Sequence, residues 1–159
     1  MATSRLSRHA CEVLGVVAFT ATLVWIVALA SYSPRDGAWF FHAGANQPPA
    51  NFAGPVGAFI AELSFQVAGY MAFALPLALW VVGWNYFWCR TVEAPITKTL
   101  GAIVLFTCCA ATLALAFEAW PVKGRAFQAG GWFGGWAAGL VTEDPNRTGA
   151  LIVTGALVA

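Results

Sequence analysis

The chain is expected to fold as an all-α membrane protein. It should be a polytopic helical bundle of three complete spans plus a truncated fourth, with a short interfacial or re-entrant helix before the fourth. Three observations support this. Of the 159 residues, 60% are hydrophobic and only 9% charged, against about 25% charged in a soluble domain, so there is too little polar surface for a water-soluble fold. Three runs carry no formal charge: 21 residues from Val13 to Ser33, 27 from Leu63 to Cys89 and 19 from Thr99 to Phe117. Each reaches the length needed to cross a hydrocarbon core of about 30 Å.

Residues 1–12 form a short polar head carrying Arg5, Arg8 and His9. The first span, about 13–33, follows. A basic head, an apolar middle and Ala28-Leu29-Ala30 also fit a cleaved signal. Signal cores run about 7–15 residues, though, and this one is longer, so a retained span is the simpler reading. Residues 34–62 read as an external loop broken by Pro34, Gly37, Gly44, Pro48 and Pro49. Trp39, Phe40 and Phe41 would contribute to an aromatic belt.

The second span, about 63–89, is the longest, and the chain is organised around it. Gly54-Pro55 marks a helix start, because proline at a first helical position forfeits no hydrogen bond. Pro76 is expected to kink or loosen the helix. Trp80, Trp84 and Trp88 recur at i, i+4 and i+8 ahead of Arg90, as in an interfacial stripe with a cationic anchor. Residues 90–98 are a short turn, and the third span occupies about 99–117. Thr107 to Thr112 and Ala114 make its middle narrow. Gly57/Ala61, Ala68/Ala72 and Ala74/Ala78 repeat small-xxx-small spacing in the second span. Membrane helices associate through such faces, since lipid supplies no hydrophobic drive between them.

Residues 118–147 form a second external loop. Within it the glycine-rich Gly130–Gly139 segment places Trp132, Trp136 and Leu140 on one face. That is an interfacial helix or a re-entrant one. The last uncharged run, 148–159, has 12 residues where about 17–20 are needed, which reads as a fourth span cut short. Asn146-Arg147-Thr148 fits a glycosylation acceptor only as a three-residue match.

Four cysteines supply no C-x-x-C spacing for a metal, and Cys108-Cys109 read as small apolar residues. Net charge +1 gives no nucleic-acid surface. The spans hold no aspartate, glutamate, lysine, arginine or histidine, whereas transporters place an ionisable group near the midplane. Glu62 stands at the mouth of the second span, where a solvated helix end is the plain reading. Catalytic, cofactor-binding and metal-binding residues are all expected to be none. A transporter or channel subunit would have to rely on Gln66, Thr107 and Thr112, and a self-contained membrane partner protein is the third possibility. Basic residues divide evenly between the short segments (Arg5, Arg8, Arg90, Lys98) and the long loops (Arg35, Lys123, Arg125, Arg147). Their density in the short segments favours a cytoplasmic amino terminus, a cytoplasmic turn at 90–98 and both long loops outside.

Four stretches carry a family resemblance. They are Ser31-Tyr-Ser-Pro-Arg-Asp36, Asn51-Phe-Ala-Gly-Pro-Val-Gly-Ala58, Gly69-Tyr70 with Ala74-Leu-Pro76, and Gly130–Gly139 ahead of Arg147-Thr-Gly-Ala-Leu-Ile152. In this order they resemble the amino-terminal four-transmembrane-helix domain of the FtsK/SpoIIIE family of DNA translocases. The match covers residues 13–159 and departs from the family at Gly37-Ala38, where a proline–serine pair is expected. The resemblance implies a bacterial inner-membrane anchor and assembly domain at the division septum. It further implies a homo-oligomer, a hexamer by the family's pattern, with other cell-division proteins and membrane lipid as partners. The ATP and Mg of the family, and its contact with double-stranded DNA, belong to a motor domain absent from these residues. The chain itself is expected not to be an enzyme and to hold no cofactor.

Overall fold

In a bilayer a helix satisfies its own backbone, and that requirement shapes most of this chain. The computed structural model describes residues 8–34, 36, 50–90, 92–117, 119–122, 124–142, 149, 152 and 155–156. Helix α1 (Arg8–Ala30) leads into a connection and then α2 (Gly54–Ala68). A 3₁₀ turn over Gly69–Phe73 joins α2 to α3 (Ala74–Phe87). Helix α4 (Pro95–Ala116), a hairpin of β1 (Trp120–Val122) and β2 (Arg125–Phe127), and α5 (Gly131–Thr142) complete the order. Among the described residues three segments are long and apolar enough to cross a membrane: Arg8–Ala30, Gly54–Phe87 and Pro95–Ala116. The shorter α5 joins them in a mostly helical, polytopic bundle.

The helices start earlier than the uncharged runs. Helix α1 begins within the expected polar head, α2 within the expected loop 34–62, and α4 within the expected turn 90–98. The reason is physical. A charged residue marks where an uncharged run begins, while a helix continues through the headgroup region. The 34-residue second segment rises about 50 Å at 1.5 Å per residue, well beyond a hydrocarbon core of about 30 Å. The expected span over 148–159 lies mostly outside the described residues, of which Gly149, Ile152, Gly155 and Ala156 are helical.

The second segment breaks at Gly69 and not at Pro76. Gly69 has φ 56° and ψ −130°, a backbone region open essentially to glycine alone. Pro76 falls in the first turn of α3. A helix's first N–H groups have no intrahelical partner, so proline there removes little.

Helix α1 runs antiparallel along this broken segment. Near its start, a Cβ on Gly15 would lie 2.6 Å from the Phe87 backbone. Further along, Phe19 stacks on Trp80 at 4.6 Å between ring centroids. Trp25 meets Ser64, and Ala28 approaches Gly57 near the other end. Helix α5 packs antiparallel on α4: Gly130 faces Ala114, Gly134 faces Ala110, and Phe133 lies over Phe106. One buried cluster gathers Ala28, Leu29, Tyr32, Ala61, Phe65, Ala68, Ala72 and Phe127, while Ala111, Leu115, Ala137 and Ala138 form a second. Alanine dominates both, as expected where close backbone approach rather than bulk holds helices together.

Candidate functional site

Two junctions concentrate the polar and glycine residues of the bundle. At the first, α1 turns towards α2. The α1 carbonyl of Ala28 accepts a hydrogen bond from Asn51 Nδ2 at 2.8 Å, which satisfies a group left over at the helix end. Asn51 Oδ1 accepts from the Ala53 N–H at 2.9 Å, forming a local turn. The Asp36 carboxylate accepts from the N–H groups of Ala50 and Asn51 at 2.7 and 3.0 Å. Ser31 Oγ accepts from the Phe52 N–H. Gly57 has to be glycine here, because a Cβ would lie 2.7 Å from Asn51 Oδ1.

Glu62 lies one helical step deeper and is 6% exposed, so it is not the solvated helix end expected from its place in the sequence. Its carboxylate accepts from Tyr32 Oη at 2.5 Å and from Gln66 Nε2 at 2.7 Å. Trp25 Nε1 donates to Ser64 Oγ at 3.1 Å. Together with Asn51–Ala28, these contacts tie the end of α1 to α2. Among the described residues, no buried side-chain nitrogen or oxygen lacks a hydrogen-bond partner. A buried polar group in an apolar setting costs several kcal/mol when unpaired, so a fully satisfied cluster acts as a clamp.

The second junction is the helix break. The Tyr70 N–H donates to the Ala129 carbonyl at 2.9 Å. A Cβ on Gly69 would collide with the Ala129 carbonyl oxygen and lie 2.5 Å from the Gly131 nitrogen. Gly131, at φ 65°, crowds the Val67 carbonyl in return. Backbone from the Gln128–Gly131 turn therefore takes up a donor exposed by the break, the way interrupted membrane helices remain tolerable. Above it Phe127 packs on Tyr32 and Phe65 at 5.8 Å from each ring. Neither the hairpin nor this docking was expected from sequence. Lys123-Gly124 was the available signal, with Gly124 at φ 93° in the turn.

The residues considered for a polar path do not converge. Thr107 and Thr112 donate to the carbonyls of Ile103 and Cys108, one turn back on their own helix, and Asn85 does the same to Val81. Gln66 is engaged with Glu62. Among the described residues no group of three or more His, Cys, Asp or Glu could hold a metal ion. His9 is exposed beside Glu12, while His42 and the Asn146-Arg147-Thr148 triplet lie outside the described residues. Trp80 and Trp84 are half-exposed and also pack on Phe19, so the stripe serves α1 as well as the bilayer. Trp132, Trp136 and Leu140 face outward from α5, opposite its glycine and alanine face.

Satisfied clamps, exposed apolar flanks and small-residue contacts define a multi-pass membrane module built for packing and retention in lipid. The chain belongs to the family described as the 4TM region of DNA translocase FtsK/SpoIIIE, whose model it matches over residues 7–159. It matches the four-transmembrane region of that family. Similar curated proteins include the DNA translocase FtsK of Vibrio vulnificus (strain CMCP6), 28% identical over 153 residues, which covers 92% of this chain and 15% of that protein. The DNA translocase FtsK of Azospirillum brasilense is 30% identical over 95 residues, 60% of this chain and 15% of that protein. That of Pseudomonas syringae pv. syringae (strain B728a) is 33% identical over 73 residues, 45% of this chain and 9% of that protein. The chain thus spans a small fraction of the length of these relatives. No solved structure matches it.

Proposed function

We propose that this module is the inner-membrane anchor and septal assembly domain of an ATP-driven double-stranded DNA translocase acting in cell division and chromosome segregation. The observation that carries this reading is the family match over nearly the whole chain. The junction geometry supports it, since the stretches that resemble the family are the ones that build both junctions. Asp36, Asn51 and Gly57 make the α1–α2 clamp, and Gly69, Gly130 and Gly131 make the break and its docking. A translocating motor exerts a reaction force. Helices tied by internal hydrogen bonds, with outward indoles at the bilayer interface, would transmit that force to the membrane without tilting. On this reading the amino terminus and residues 90–98 face the cytoplasm, the hairpin faces outward, and several copies assemble with other division proteins.

The test is a reporter-fusion map combined with imaging of a fluorescent fusion. Phosphatase fused after Gly124 should be active, and phosphatase fused after Glu93 should be silent. The fluorescent chain should gather at midcell in dividing bacteria. An active fusion at Glu93, or an even distribution around the cell, would contradict the proposal.

A further inference from the structure

Cys11 and Cys89 lie 78 positions apart in sequence and meet at one end of the α1–α3 pair. Close backbone approach brings them together. Gly15 sits so near Phe87 that a Cβ would come within 2.6 Å of its backbone. One turn before Gly15 is Cys11, and two residues past Phe87 is Cys89. The Cys89 thiol donates to the Arg8 carbonyl at 3.7 Å, on the turn of α1 that also carries Cys11. Cys11 follows three residues after Arg8 on that turn of α1, close enough to act on the Cys89 thiol. Both thiols are free, with Cys89 exposed and Cys11 partly so.

The backbone at Cys89 is a second, independent feature. Its φ is 47°, in the left-handed region. Its N–H donates to the Tyr86 carbonyl and the Arg90 N–H to the Asn85 carbonyl, both at 2.9 Å. This is the helix-ending motif that usually places glycine at the left-handed position. Here a cysteine takes that position, at a cost in strain that glycine would avoid, and its thiol turns onto α1.

We propose that Cys11 and Cys89 form an oxidation site, closing to a disulfide that staples the start of α1 to the end of α3. Two thiols lose two electrons and two protons to a two-electron oxidant, and one sulfur–sulfur bond forms. The physiological oxidant class is a low-molecular-weight disulfide. One cysteine thiolate attacks it and releases one thiol, then the second cysteine displaces the other. Partial desolvation, the adjacent Cys11 thiol and the Glu12 carboxylate hold the Cys89 thiol above its ordinary range. Cys89 therefore rests as the protonated thiol at neutral pH, and its share of thiolate sets how fast it attacks.

The experiment uses the full chain in isolated membranes, oxidised with diamide, which is reduced to its hydrazine as it takes up both electrons and both protons. Denaturation and a maleimide–polyethylene glycol label then count the free thiols on a gel. The chain has four cysteines. The count should fall from four adducts to two, with monomer mobility kept under non-reducing conditions. In Cys89→Gly, which suits the left-handed backbone and so keeps the fold, and in Cys11→Ser, all three remaining thiols should stay labelled. Four adducts after oxidation would overturn the proposal. So would cross-linked dimers, or thiol loss that persists in Cys89→Gly and therefore belongs to Cys108 and Cys109.

Discussion

Gly69 and Gly101 are both glycines within long apolar segments, yet their surroundings oppose each other. Gly69 combines a positive φ with direct contact against the Ala129 carbonyl, whereas a Cβ on Gly101 would meet nothing within 4 Å. Gly69→Ala should therefore cost about 2 kcal/mol or more, since strain and collision add. Gly101→Ala, in the middle of a regular helix, should gain about 0.5–1 kcal/mol. Thermal unfolding in detergent, followed by a thiol-reactive dye, separates the two. Equal melting temperatures would refute the role given to Gly69. The sequence carries no mark that distinguishes these glycines, because the difference lies in φ and in a neighbour 60 positions away. Proline is the louder signal, and it pointed to Pro76. Glu62 was misjudged for a related reason: its partner Tyr32 lies across a loop, so its burial is invisible in local composition.

At the scale of elements, three spans were legible because a bilayer demands about twenty apolar residues in a row and few sequences satisfy that by accident. The small-residue spacing was also legible, and the structure shows which pairs use it. Ala68 and Ala72 are buried in the contact of α2 and the 3₁₀ turn with α1 and β2, while Ala78 faces outward. Ala72→Phe should therefore separate packed backbones and lower the melting temperature by several degrees, an overpacking cost of about 1–3 kcal/mol. Ala78→Phe, on a lipid-exposed face, should leave it nearly unchanged. A matched response from both would show that the packing face is misassigned. The hairpin was not legible. Strands of three residues each fall below any periodicity that a sequence window resolves, and what fixes them is the docking of Phe127 onto α1 and α2.

Across the molecule, two groups of aromatic residues among those described do different work. Tyr32, Phe65 and Phe127 form an inward group that joins α1, α2 and β2, with Phe127 and Tyr32 buried and their rings in edge contact. Trp132 and Trp136 form an outward group on α5. The inward group holds the bundle together, and the outward group holds the bundle in the bilayer. This division yields one comparison. Phe127→Ala removes a buried ring from the larger core cluster, at about 3–5 kcal/mol. It should lower the unfolding temperature markedly in detergent, where no bilayer interface exists. Trp132→Ala should leave that temperature within about 0.5 kcal/mol of the parent, the ordinary range for exposed positions. In vesicles the order should reverse for extraction: the Trp132 variant should come out of the membrane more readily under alkaline wash or mild detergent than the parent does. Were Trp132→Ala to melt as early as Phe127→Ala, α5 would owe its place to its tryptophans. The assignment of its glycine and alanine face as the docking face on α4 would then fail.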